Sequence, residues 1–136
     1  MIATLVFAML TQAAEPPVPD WNCHDPIAQQ EMNWCAARDY EVADERLNAQ
    51  WAITIEVMKR RDAEWAEVGS NDTRLGYTRS LLEAQRAWLR YREAHCRVDG
   101  YIARGGTLEP LLVSTCKARL TQMRTEELKA LVEVEG

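Results

Sequence analysis

The strongest constraint on the fold is a long run of apolar residues with helical spacing in the first half of the chain. From Glu31 onwards, apolar side chains recur at steps of three or four, apart from the adjacent pair Cys35 and Ala36 and one step of seven that passes over the polar Asp62. Such spacing places them on one face of an α-helix. They are Met32, Cys35, Ala36, Tyr40, Ala43, Leu47, Trp51, Ile55, Met58 and Trp65. The pattern predicts a long amphipathic helix that ends near Gly69.

A second helix is predicted to follow a short connection. Gly69 suits a left-handed helix end, and one of the next three polar residues, Ser70, Asn71 or Asp72, can cap the helix that follows. This helix is expected to run to about Ala103. Its predicted apolar face consists of Tyr77, Leu81, Ala84, Trp88, Tyr91, Cys96, Val98 and Ile102.

The third helix is predicted after Gly105-Gly106, the strongest turn signal in the chain. Thr107 is expected to cap it, and Pro110 is tolerated in its first turn. Its apolar positions are Leu111, Cys116, Leu120, Met123, Leu128 and Leu131. Three helices with short connections predict an all-α fold, an up-down-up three-helix antiparallel bundle.

The composition and charge of the chain argue against two classes of protein. A chain of 136 residues is one domain, and 16 Lys and Arg against 21 Asp and Glu give a formal net charge of -5. An acidic balance argues against a nucleic-acid partner. No apolar run approaches the roughly 20 residues that span a bilayer, which argues against a membrane-spanning protein.

The first residues resemble a signal peptide. An apolar stretch is followed by small residues, so cleavage is expected after Ala13 or Ala14. No Lys or Arg precedes that stretch, so either the start is truncated or the segment is an ordinary buried terminus. The predicted organisation is a signal peptide over residues 1–13, an extended arm over 14–27 and a helical domain over 28–136. No cysteine sits directly after the expected cleavage site, so a lipid anchor is not expected.

Four cysteines in a small exported chain predict two disulfides. In an antiparallel hairpin, residues equidistant from the turn lie at the same height, and Cys96 and Cys116 are each ten residues from Gly106. This favours a Cys96–Cys116 bond and leaves Cys23 to pair with Cys35. A link between Cys35 and Cys96 stays open, because both are expected at the same end of the bundle.

The same reasoning predicts a polar layer between the helices. About the turn near Asn71, Asp44 and Asn48 lie opposite residues 92–97, so Arg92 is expected to donate hydrogen bonds to one of them, with His95 nearby. The predicted layer consists of Glu31, Asp44, Asn48, Arg86 and Arg92. A structural role that fixes helix register is the favoured interpretation over ligand binding, since buried charges need partners in any protein.

No enzyme motif is recognisable. The chain lacks a glycine-rich phosphate loop, zinc-type cysteine or histidine spacing and a nucleophile motif. Its two histidines, His24 and His95, make a weak case for a metal site. The carboxylates fall mostly on outward helix positions, as expected for a solvated surface. The sequence therefore predicts a non-catalytic protein without a cofactor or metal.

Several blocks of residues resemble one family. They are Glu31-Met32-Asn33-x-Cys35-Ala36, Ala43-Asp44-x-x-Leu47-Asn48, Ala84-Gln85-Arg86-Ala87-Trp88-Leu89-x-Tyr91-Arg92-x-Ala94-x-Cys96, Gly105-Gly106-Thr107-x-x-Pro110, Cys116 and Leu120-Thr121-x-x-Arg124. In this order they resemble the secreted bacterial family typified by the N-terminal domain of the lysozyme-inhibitor lipoprotein LprI. The resemblance covers roughly residues 21–130. It implies a small, exported, mostly helical protein of the periplasm or the exterior.

The expected function is that of an envelope binding protein. The resemblance implies a lysozyme or another envelope protein as the partner, and the alternative is a structural or stress-related envelope protein that never meets lysozyme. The candidate contact surface lies in residues 100–110, beside the Gly-Gly turn held by the expected Cys96–Cys116 bond. Its predicted partner-binding residues are Tyr101, Arg104, Gly105, Gly106 and Thr107.

Overall fold

The computed structural model describes residues 19–133, which form three α-helices and no β-strand. Helix α1 is Gln29–Val68, α2 is Tyr77–Gly100 and α3 is Glu109–Glu133, and a single 3-10 turn, Tyr101–Ala103, follows α2. The predicted all-α class and three-helix bundle are confirmed. The predicted signal peptide lies outside the described residues, and residues 19–28 precede α1. None of the described helices is long and apolar enough to cross a bilayer.

Contacts between the helices establish the up-down-up arrangement. Asn33 of α1 pairs with Thr107, just before α3, and Thr54 of α1 pairs with Leu128 of α3. The sequence offset is 74 at both places, as parallel helices require. From α1 to α2, Asp44 meets Arg92 while Asp62 meets Tyr77, so the numbers run in opposite directions. Helix α2 is therefore antiparallel to the other two.

Two disulfides close the structure at one end of the bundle. Cys96 and Cys116 are bonded with their Cα atoms 5.5 Å apart, and Cys23 and Cys35 are bonded with their Cα atoms 5.6 Å apart. The favoured pairing is confirmed, and the alternative between Cys35 and Cys96 is excluded. One bond ties α2 to α3, and the other ties the arm before α1 to the second turn of that helix.

The core consists of two apolar clusters. The larger contains Leu47, Met58, Leu81 and Leu128, with Trp51, Ile55, Val57 and Trp88 packed against it. The smaller is formed by Cys96, Cys116 and Leu120 beside the disulfide. The hydroxyl of the fully buried Thr54 donates a 3.0 Å hydrogen bond to the carbonyl of Leu128, so its polar atom is satisfied within the apolar interior.

The apolar face predicted for α2 is partly wrong. Its buried residues are Leu81, Arg92, Cys96 and Gly100, whereas Tyr77, Tyr91, Val98 and Ile102 are exposed. The buried face of α2 is therefore rotated towards Arg92. A search for apolar spacing assigns an arginine to the solvent side of a helix, whereas Arg92 is buried with polar partners. In the other helices, Trp65, Met123 and Leu131 are also exposed rather than buried.

The start of α2 also differs from the prediction. Helix α2 begins at Tyr77, and none of Ser70, Asn71 and Asp72 caps it. The cap is supplied across the hairpin by Asp62, whose carboxylate accepts hydrogen bonds from the backbone N–H of Tyr77 at 2.6 Å and of Thr78 at 2.9 Å. The polar residue that interrupts the apolar spacing of α1 thus stabilises the N-terminus of the next helix.

Candidate functional site

The predicted contact surface is a short, folded connection between α2 and α3, called the α2–α3 loop below (residues 101–108). It opens with the 3-10 turn, after which the N–H of Arg104 donates to the carbonyl of Tyr101 at 3.1 Å and that of Gly106 donates to Ala103 at 2.9 Å. Helix α3 begins at Glu109, two residues after the predicted cap Thr107. The loop therefore has internal hydrogen bonds along most of its length.

Gly105 makes the reversal of the chain possible. Its φ of 77° lies in the left-handed region, which is strained for residues that carry a Cβ atom. Its N–H donates a 2.7 Å hydrogen bond to the carboxylate of Glu109, in the first turn of α3. A side chain of α3 thus fixes the turn that precedes its own helix.

The α2–α3 loop is also attached to both neighbouring helices. The amide of Asn33 on α1 donates a 2.9 Å hydrogen bond to the carbonyl of Thr107, and Gln29 donates to Asn33 at 2.8 Å. At the other side, Gly100 lies so close to α3 that an added Cβ atom would be 2.5 Å from a methyl group of Val113. Together with the Cys96–Cys116 bond, these contacts hold the loop in one place.

The outer surface of the loop combines apolar and cationic groups. The guanidinium of Arg104 lies 4.5 Å from the centre of the Tyr101 ring, and both residues are exposed. Ile102, between them in sequence, is 87% exposed, and Leu108 is 40% exposed. Ile102 had been predicted as buried, so its place on this surface was missed. The exposed 3-10 turn after Gly100 turns it outward.

The second predicted site is the polar layer, centred on Arg92. This side chain is 7% exposed and donates hydrogen bonds to Asp44 on α1 at 2.9 Å and to the hydroxyl of Thr121 on α3 at 3.1 Å. Asn48 donates to the other oxygen of Asp44 at 3.4 Å. One arginine of α2 therefore joins all three helices.

Aromatic rings and a second cation extend this layer. The Arg92 guanidinium lies 5.2 Å from the centre of the Tyr40 ring and 5.0 Å from that of Trp88. Glu93 accepts hydrogen bonds from both Lys117 and Arg92. Partial burial acts to raise the pKa of Glu93, but the hydrogen bond and charge of Lys117, with those of Arg92, outweigh it and the pKa lies below its ordinary value.

Two members of the predicted layer lie elsewhere. Glu31 is in the first turn of α1, where its carboxylate accepts hydrogen bonds from the N–H groups of Asn22 at 3.2 Å and Ile27 at 2.9 Å. It therefore fixes the arm before α1. Arg86 is exposed, because a difference of six positions from Arg92 places it on a different side of α2.

The structure also locates the candidate metal ligands among the described residues. Within residues 19–133, no group of three or more His, Cys, Asp and Glu side chains is arranged to hold a metal ion. His95 is exposed and stacks on the ring of Tyr91, with 5.2 Å between the ring centres. His24 lies in the turn before α1, where its backbone N–H donates a hydrogen bond to the side chain of Asn22.

Comparison with known proteins identifies relatives of this sequence. The model of the family described as lysozyme inhibitor LprI matches residues 23–128. A protein of Rhizobium meliloti (strain 1021), described as uncharacterized, is 41% identical over 120 residues, which cover 88% of this chain and 84% of the relative. No solved structure matches the chain.

Proposed function

The chain belongs to the lysozyme inhibitor LprI family, and on this premise we propose that it is an exported, non-catalytic protein that binds and inhibits a lysozyme. Two disulfides in a small domain support export, since such bonds persist in oxidising compartments. The observation that carries the proposal of a binding surface is the α2–α3 loop, a fixed turn that exposes Ile102 between Tyr101 and Arg104.

Such a loop suits binding for two physical reasons. Exposed aromatic, apolar and arginine side chains are the groups that contribute most at protein interfaces. A turn that is already held by hydrogen bonds and a disulfide loses little conformational freedom when a partner binds, so more of its contact energy appears as affinity. Tyr101, Ile102 and Arg104 are the proposed contact residues, with Gly105, Gly106 and Thr107 as the frame that presents them.

The charge of the protein supports a basic partner. Animal-type lysozymes are strongly basic, and a formal net charge of -5 would raise the rate at which they associate. Helix α1 is the main source of this charge, with nine acidic residues against five basic ones. Net charge alone does not distinguish one basic partner from another, so we assign specificity to the α2–α3 loop.

The loop is tested by binding measurements with purified, oxidised protein against animal-type and bacterial-type lysozymes. Two variants alter the loop: the double variant Tyr101→Ala with Arg104→Ala, and the single variant Ile102→Ser. Each is expected to weaken the complex on the order of tenfold or more, because it removes side chains that anchor the interface. The matched control is Ile53→Ser, since Ile53 is 56% exposed on α1.

The outcomes separate the alternatives. Weakened binding by the loop variants, with the control and all melting temperatures nearly unchanged, supports the loop as the contact surface. A complex of unchanged affinity would dismiss the loop, and no complex with any lysozyme would favour the alternative of a structural envelope protein.

A further inference from the structure

Helix α2 carries a straight row of arginines on its outer side. Arg79, Arg86, Arg90 and Arg97 are separated by seven, four and seven residues, intervals that return to nearly the same side of an α-helix. All four are exposed. Because each residue advances a helix by about 1.5 Å, the row is about 27 Å long. It is called the arginine row below.

These arginines form no ion pair with the other residues that the structure describes. Of the ion pairs formed within residues 19–133, none involves a member of the arginine row, in contrast to the buried Arg92 on the same helix. Glu83 lines the same depression as Arg79, Arg86 and Arg90, and it forms no ion pair with them either. In a chain with a net charge of -5, this concentration of free positive charge is unusual.

Leucines accompany the row along one side. Leu75 is 50% exposed and Leu89 is 38% exposed, and Leu82 between them is half-buried. A shallow depression of about 330 Å³ is lined by both kinds of residue, namely Leu75, Arg79, Leu82, Glu83, Arg86 and Arg90. Guanidinium groups and apolar side chains therefore lie on the same surface of the protein.

We propose that this face of α2 docks on the surface of an anionic phospholipid bilayer. Guanidinium groups bind phosphate oxygens through paired N–H donors, and a row of them on one straight helix matches a flat, repeating array of headgroups. The adjacent leucines would contact the boundary between headgroups and acyl chains, as in helices that lie on a membrane. No aromatic residue lines the depression beside the row, so nucleic-acid bases would have no ring there on which to stack.

Sedimentation with lipid vesicles tests the proposal. The full oxidised protein is expected to bind vesicles of phosphatidylglycerol mixed with phosphatidylcholine, to bind phosphatidylcholine vesicles weakly, and to dissociate from the anionic ones as salt rises. Arg79→Gln, Arg86→Gln and Arg90→Gln together should lower binding on the order of 100-fold, from the usual contribution of each basic residue near such a surface. Glu83→Gln should strengthen it.

A matched control removes the same amount of charge from the other helices. Arg46→Gln, Arg60→Gln and Arg119→Gln alter three exposed arginines of α1 and α3, so both triple variants have the same net charge. The control is expected to bind within a few-fold of the unaltered protein, which would assign binding to the arginine row.

Three results would overturn the proposal. They are equal binding to both kinds of vesicle, equal loss in the two triple variants, and binding to a soluble acidic polysaccharide without binding to vesicles. The melting temperatures of all variants are recorded as a control for folding. The Glu83→Gln variant removes no arginine, so it tests whether vesicle binding rises when negative charge is removed from this surface. Because lysozyme is absent from this experiment, its result is independent of the proposed inhibition.

Discussion

Arg92 and Asp44 connect α2 to α1 through a 2.9 Å hydrogen bond between a guanidinium nitrogen and a carboxylate oxygen. The arginine is nearly buried, whereas the side chain of Asp44 keeps 36% of its surface exposed. Since Arg92 also reaches Thr121 on α3, this pair fixes the relative height of the three helices. We therefore infer a structural role for this pair.

The first prediction concerns that pair. Arg92→Ala should lower the free energy of unfolding by about 3 kcal/mol, because it removes packing against Trp88 and Tyr40 as well as a partly buried ion pair. Asp44→Ala should also destabilise, since it leaves the charge of Arg92 buried without its carboxylate. Chemical denaturation measures both. A loss below about 0.5 kcal/mol for Arg92→Ala, a typical surface value, would contradict this role.

The second prediction concerns the cap on α2. Asp62→Ala should cost about 1 kcal/mol, the usual value of a lost N-cap. Gly76→Ala should act through the same contact, because an added Cβ atom would lie 2.5 Å from a carboxylate oxygen of Asp62. The two effects should therefore be less than additive in the double variant. Full additivity in denaturation experiments would mean that Gly76 does not act through Asp62.

The third prediction concerns acid pH. The folded-state pKa of Glu93 lies below its ordinary 4.5, so its charged form favours folding. This stabilisation is complete above pH 4.5 and is lost as the pH falls through the folded-state pKa. Glu93→Gln should therefore lower stability at neutral pH and flatten the acid limb of the curve of stability against pH. An unchanged limb would show that Glu93 carries none of this dependence.

The fourth prediction concerns the disulfide beside the α2–α3 loop. Cys96→Ala with Cys116→Ala removes a bond that closes a sequence separation of 20 residues, which should cost about 3 kcal/mol. Cys23→Ala with Cys35→Ala opens a separation of 12 and should cost a similar amount without touching the loop. Only the first pair should also weaken a lysozyme complex at a temperature where both variants are folded. Equal effects on affinity would show that the bond does not support the binding surface.

Local patterns predicted much of this fold. Apolar spacing and glycine turns identified three helices, and distances from the turns predicted the pairing of Cys96 with Cys116. They also placed Arg92 opposite Asp44 and Asn48, of which Asp44 is its partner. Both follow because antiparallel helices of regular rise place residues at calculable heights. The α2–α3 loop was also located by its Gly-Gly signal, although its role in binding stays a proposal.

Three of the errors arise where the chain leaves a regular helix. Asp62 caps a helix that begins 15 residues later, and Glu31 accepts hydrogen bonds from the arm before its own helix. Neither contact follows from helical spacing, because each depends on where a connecting segment folds back. The exposure of Ile102 was missed for a related reason: the helical pattern was continued past Gly100, where a 3-10 turn changes the direction of the side chains.

The central claim, inhibition of a lysozyme, is tested most directly by titrating the oxidised protein into animal-type and bacterial-type lysozymes while recording binding heat and residual cell-wall lysis together. The account predicts saturation at one partner per chain, with loss of lysis that persists at physiological salt. Absence of heat, or heat that vanishes as salt is raised while lysis continues, would contradict it.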